Sequence, residues 1–135
     1  MKIFFDNTIP VRIARGLEGF AAPDHQVIHF RDRFSADAAD AVWMGELAAQ
    51  QDWVIVTCDV RLGRNPLETE AWKAVGHCVF FLKPGWLRLG FWEQAQQLVK
   101  CFPRLIESAQ GAQGASMFAV SASGKITKAL IPSGE

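Results

Sequence analysis

The sequence predicts an α/β fold: a three-layer α/β/α sandwich with a mostly parallel central sheet and a short C-terminal hairpin. Three observations predict it. Four short apolar runs are continuous rather than alternating, as expected of strands covered on both faces. Helical patterns lie between them, giving the order β-α-β-α-β-α-β-α. The chain has 135 residues, half of them apolar, which is the size of one domain able to bury about two-thirds of its unfolded surface.

The apolar runs are residues 3–5, 27–30, 53–57 and 78–82, rich in Val, Ile and Phe. A first helix is expected from Pro10, which tolerates the first turn because its missing N–H would be unpaired there. It places Ile9, Ile13, Leu17 and Phe20 on one stripe. A second helix is expected over about 37–51, with Trp43, Met44, Leu47 and Ala48 facing inward. A third begins at Asn65-Pro66-Leu67-Glu68, a capping-box-like start, and ends at Gly76. A fourth covers about 90–108 with Phe91, Ala95, Leu98, Val99, Phe102 and Ile106 on its apolar side, and Pro103 is expected to kink or split it. The segment Gln110-Gly111-Ala112-Gln113-Gly114 reads as a linker. A small hairpin around Ser123-Gly124 follows, so the chain divides into a domain of residues 1–109 and a tail of 110–135. The tail is expected to add an edge to the sheet or to dock onto a partner.

Composition excludes several classes. Fourteen Lys and Arg balance fourteen Asp and Glu, so the chain lacks the cation surplus that non-specific nucleic-acid affinity requires. Affinity for bulk RNA should therefore be modest. The cysteines, Cys58, Cys78 and Cys101, are odd in number and widely spaced, which suggests neither a disulfide framework nor a zinc site. A reduced, cytoplasmic setting is expected, because no signal peptide or membrane span is legible. His25, His29 and His77 have no metalloprotease or zinc spacing. There is no glycine-rich phosphate loop after the first strand and no nucleophile elbow.

In open α/β sheets, ligands bind beyond the carboxyl ends of the strands. There the first strand ends in Asp6-Asn7 and the third in Thr57-Cys58-Asp59. Asp40 precedes Trp43, Met44 and Leu47 by three, four and seven residues, which puts a third carboxylate on the apolar stripe of its helix. Three converging carboxylates repel one another unless a cation lies between them. Hard ions such as Mg²⁺ and Mn²⁺ suit oxygen-only sites, and phosphodiester hydrolysis is their natural chemistry. Thr57 is placed to orient water or a carboxylate, and Asn7 to donate to the scissile phosphate or to Asp6.

The stretches Ile3-Phe4-Phe5-Asp6-Asn7, Asp40-Ala41-Val42-Trp43 and Val54-Ile55-Val56-Thr57-Cys58-Asp59 resemble the PIN and PIN-like domains. Within these they are most similar to the VapC-type toxins of bacterial toxin–antitoxin pairs, as is Phe80-Phe81-Leu82 followed by Trp86. The resemblance covers roughly residues 1–107. It implies an Mg²⁺- or Mn²⁺-dependent endoribonuclease, an RNA substrate, a cognate antitoxin protein and a tendency to homodimerise. Carried over, Asp6, Asp40 and Asp59 are the metal-binding acids, and Thr57 is the polar residue preceding the last of them. Many PIN domains carry a fourth acid soon after the third. Here Arg61, Arg64, Asn65, Glu68 and Glu70 follow instead, and the fourth position stays unassigned.

Plainer roles compete for each of these residues. Asp6 can cap the first helix, Asp40 can interact with the dipole of its own, and Asp59 can form an Asx-turn. Arg12, Arg15, Arg31, Arg33, Arg61 and Arg64 cluster around the expected site, and Arg12, Arg61 and Arg64 are the candidate RNA contacts. They can equally be solvated. The five tryptophans are expected mostly in the core; for Trp86 too the core is the favoured place, with base stacking or a partner contact as the alternative. Two other functions fit the pattern less well. One is a catalytically weak PIN-like binding module or scaffold, motivated by the missing fourth acid. The other is a phospho-receiver built on Asp6, Asp59 and Lys83, which lacks the βα unit a receiver needs between the last two.

Overall fold

A computed structural model of the chain describes residues 1–50, 53–58, 78–112 and 116–129, apart from the side chains of Asp40, Ala41 and Ala48. The strands form where β-branched and aromatic residues cluster: β1 (Lys2–Phe5), β2 (Gln26–His29), β3 (Trp53–Thr57), β4 (Cys78–Leu82), β5 (Ser116–Val120) and β6 (Ile126–Lys128). The bounds of β3 and β4 are those of their apolar runs. β2 ends one residue earlier than expected, because Phe30 opens a 3₁₀ turn, Phe30–Asp32.

The described helices are α1 (Val11–Ala21), α2 (Asp40–Ala49) and α3 (Phe91–Gly111). α2 starts three residues later than the apolar pattern suggested, with Ala39 at its N-cap. The helix expected from Asn65 lies outside the described residues. α3 is a single helix that contains Pro103, so the proline does not split it. Leu98, Cys101 and Phe102 before the proline and Leu105 and Ala109 after it are all buried. Anchors on both sides outweigh a helix-interior cost of about 3 kcal/mol.

The described strands form one sheet in the order β2-β1-β3-β4-β5-β6. The first five are parallel, and β6 runs antiparallel to β5. The hairpin therefore extends the sheet: β5 continues it beside β4, and the boundary expected at 109/110 falls inside α3. Gly124, at φ 86°, makes the turn between β5 and β6, a conformation that costs glycine nothing. A Cβ there would lie 3.4 Å from the Cβ of Cys101, an ordinary contact, so the backbone conformation alone selects glycine.

Alternation along each strand separates two cores. On one face Ile3, Phe5, Val54, Val56 and Phe80 pack with Ile13 and Leu17 of α1 and Leu98 and Leu105 of α3. On the other face Phe4, Ile28, Trp53, Ile55 and Val79 pack with Trp43, Met44 and Leu47 of α2. This is the three-layer α/β/α arrangement. Trp86 is fully buried, and its indole N–H donates to the Val120 carbonyl at 3.0 Å, so it is a core residue and not a stacking platform. Two aromatic side chains expected inside are outside: Phe20 is 76% and Trp92 77% exposed. α1 buries Ala14 and Ala21 beside Ile13 and Leu17, and this line leaves Phe20 on the flank. All three cysteines are buried and none forms a disulfide. Burial pushes the Cys78 thiol up to about 11, which leaves it without thiolate character.

Candidate active site

β1 and β3 are neighbours, with Phe5 paired to Val56. The next residues, Asp6 and Thr57, therefore stand side by side at the carboxyl end of the sheet. Both continue the strand positions that face α2, since Phe4, Trp53 and Ile55 lie on that side. Asp6 keeps its backbone in the sheet, its N–H donating to the Val56 carbonyl at 3.2 Å.

Asp6 is a buried acid, 5% exposed. The Thr57 hydroxyl donates to its Oδ2. The Thr8 N–H donates to Oδ1 at 3.0 Å, and the Thr8 hydroxyl donates to the same oxygen. Thr8 Oγ1 in turn accepts from the Cys58 N–H at 2.8 Å. The carboxylate is thus fixed by three donors from two strand ends, and the Thr8 hydroxyl couples them. A carboxylate has about four lone-pair positions, so these bonds set its orientation tightly. Capping does not account for Asp6. The N-cap of α1 is Pro10, and no side chain caps that helix.

Asp40 is the first residue of α2. That helix covers the same sheet face and follows the carboxyl end of β2 in the chain. Its backbone is thereby placed at the end of the sheet where Asp6 lies. Asp59, Arg61 and Arg64 lie outside the described residues. Asn7 is exposed, and its Oδ1 accepts from Nε of Arg31 at 3.2 Å. Arg12 is exposed at the start of α1, its guanidinium 4.3 Å from the centre of the Phe91 ring. That contact belongs to the α1–α3 side of the sheet, opposite the face of Asp6 and Thr57.

Two residues of this region carried no strong signal in sequence. Thr8 was legible only as a polar residue two positions after a strand-end acid, the spacing of an Asx-type turn. His29, which has no metal-site spacing in the sequence, is fully buried. Its Nε2 donates to the Ile9 carbonyl at 2.7 Å, while Nδ1 accepts from the Arg31 N–H at 3.0 Å. This pairing defines the neutral Nε2–H tautomer. His29 thus ties the loop after β1 to the turn after β2.

Burial pulls the His29 pKa below its ordinary value of 6.5; the Ile9 carbonyl and Asp32 oppose this, and Arg15 and Arg31 reinforce it. A folded-state pKa below the unfolded one means that the unfolded chain binds more protons between the two values. Stability is then full above about pH 6.5 and declines as the pH falls below it. Thermal melts from pH 7 down to pH 5 should show this decline in the wild type and a shallower one in His29→Gln. An equally steep decline in both would assign the effect to other groups.

The donor set at Asp6 is oxygen only, carboxylate and hydroxyl, at the end of buried strands. Oxygen donors are the type that hard divalent cations take, but among the described residues no group of three or more His, Cys, Asp or Glu is placed to hold a metal ion. The softer described ligand types nearby are engaged elsewhere, His29 on backbone and the thiols in the core. Among the described residues, no helix is long and apolar enough to cross a membrane. No curated protein and no solved structure matches the chain. A family model described as a PIN like domain matches residues 1–84, a span that includes Asp6, Arg31, Asp40, Thr57 and Asp59.

Proposed function

The chain belongs to the PIN-like domain family, and from that premise we propose that it is a metal-dependent endoribonuclease acting as the toxin of a bacterial toxin–antitoxin pair. The observation that carries this reading is the buried Asp6 carboxylate, oriented by Thr57 and Thr8 where two parallel strands end. Asp6, Asp40 and Asp59 would hold Mg²⁺ or Mn²⁺. The bound ion supplies polarisation of a phosphoryl oxygen and a lowered pKa for the attacking water.

The chain's own residues set the geometry. Thr57 and Thr8 fix the direction of the Asp6 carboxylate before substrate arrives, so little reorganisation is needed during reaction. In-line attack of water on the phosphodiester leaves a 3′-hydroxyl and a 5′-phosphate. With a net charge of zero, the protein relies on local contacts and substrate shape more than on bulk attraction to RNA.

A protein partner fits a different surface. α1 and α3 line an apolar groove of about 700 Å³, on which Phe20, Trp92 and Val99 stand exposed. Contiguous exposed apolar surface of this kind marks an interaction site. On the toxin reading, we propose it as the docking face for the antitoxin.

The test is cleavage of a labelled single-stranded RNA pool with Mn²⁺, with Mg²⁺ and with EDTA. Cleavage with either metal, abolished by EDTA and leaving 5′-phosphate ends, is the expected result. RNA left intact in both metals by a folded protein would replace this reading with that of a binding module.

A further inference from the structure

The arginines expected around the site are not equivalent. The Arg15 guanidinium pairs with Asp32, Nη1 to Oδ2 at 3.0 Å, and reaches Glu18 at 3.5 Å. Arg12 is spread over the Phe91 ring. Arg33 lies 5.1 Å from the centre of the Trp53 ring and donates to Gln50 Oε1 at 3.2 Å. Arg31 differs from these three. Only its Nε is used, on Asn7 Oδ1, and its two terminal amino groups have no partner among the described residues.

The position of Arg31 is also constrained. It follows the carboxyl end of β2, whose last residue, His29, is paired with Phe5, the residue before Asp6. Its backbone N–H is held by His29 Nδ1, and the His29 N–H is held by Asp32 Oδ2 at 2.9 Å. Asn7, which orients the side chain, directly follows the candidate metal-binding acid. A guanidinium anchored through Nε presents its other N–H groups as a fork matched to two phosphate oxygens.

We propose that Arg31 is the substrate-phosphate contact of this site, oriented by Asn7 and held in place by the His29 turn. This rests on the nuclease reading and names the group that binds the RNA backbone. The contact is to phosphate, so it adds affinity without base preference.

The experiment is equilibrium binding of fluorescent single-stranded RNA oligonucleotides in EDTA, at several salt concentrations, with circular dichroism confirming the fold. Arg31→Ala should bind about fivefold to tenfold more weakly, uniformly across sequences. It should also reduce the slope of log affinity against log salt by about 0.7. Arg31→Lys should keep the slope but lose part of the affinity, because the fork is gone. Asn7→Ala should behave like Arg31→Lys, since the charge stays and the orientation is lost. Arg104→Ala, which removes an exposed charge from the middle of α3, should keep the wild-type affinity. If the wild type binds RNA and Arg31→Ala matches Arg104→Ala, the Arg31 assignment is overturned while the nuclease reading stands. If Arg31→Lys or Asn7→Ala matches the wild type, the oriented fork is overturned. If the folded wild type binds no RNA, the Arg31 assignment fails, and the cleavage test with Mn²⁺ and Mg²⁺ decides the nuclease reading separately.

Discussion

Asp6→Asn is expected to abolish metal-dependent RNA cleavage while leaving the fold intact. Loss of one negative ligand from a divalent site removes several kcal/mol of transition-state stabilisation, on the order of 10³-fold in rate. The fold should survive because its neighbours adapt. With the amide carbonyl at the Oδ1 position, the Thr8 N–H and hydroxyl keep their acceptor, and the Thr57 hydroxyl can rotate to accept from the new NH₂ group. The check is single-turnover cleavage with saturating Mn²⁺, beside circular dichroism of the same preparation. A variant that cuts within tenfold of the wild type would remove Asp6 from the chemistry. Thr57→Val should lose less, because it removes an orienting donor and not a ligand.

Phe4→Ala is expected to have the largest effect on stability. Phe4 is fully buried in the α2-side core. Its ring stacks on Trp43 with centroids 5.7 Å apart and meets Trp53, Phe34 and Phe30 edge-on at 6.0, 6.3 and 6.5 Å. Truncating such a residue removes transfer free energy and leaves a cavity, at a cost of about 3–5 kcal/mol. Total stabilities of domains this size are only about 5–15 kcal/mol. The guanidinium unfolding midpoint, followed by tryptophan fluorescence, should fall sharply for Phe4→Ala and much less for Phe4→Leu. Equal midpoints for Phe4→Ala and the wild type would mean that this aromatic cluster does not hold α2 on the sheet. Because Phe4 lies two residues before Asp6, the same cluster supports the strand end that carries the acid.

Local pattern made the sheet legible. Continuous apolar runs located β3 and β4 to the residue, and the strand-end rule pointed to Asp6 and Thr57. Partners distant in sequence were not legible. Thr8 meets Cys58 across fifty positions, Arg31 meets Asn7 across twenty-four and His29 meets Ile9 across twenty. No periodicity encodes such pairs; strand order does, once β1 is known to lie between β2 and β3. The misplaced aromatics, Phe20 and Trp92, have another origin. Apolar character was read as burial, whereas these side chains flank the groove between α1 and α3. The 3₁₀ turn at Phe30 was missed because its closure depends on His29 and Asp32 side chains acting on backbone N–H groups. Asp59, Arg61 and Arg64, expected at the site, lie outside the described residues.

The central claim is that Asp6, Asp40 and Asp59 form one divalent-cation site. Calorimetric titration of Mn²⁺ into the wild type, Asp6→Asn and Asp59→Asn tests it without any assumption about the RNA. The account predicts binding by the wild type that is lost in both variants, each still folded. A folded wild type that takes up no Mn²⁺, or variants that bind it as the wild type does, would contradict a shared carboxylate site.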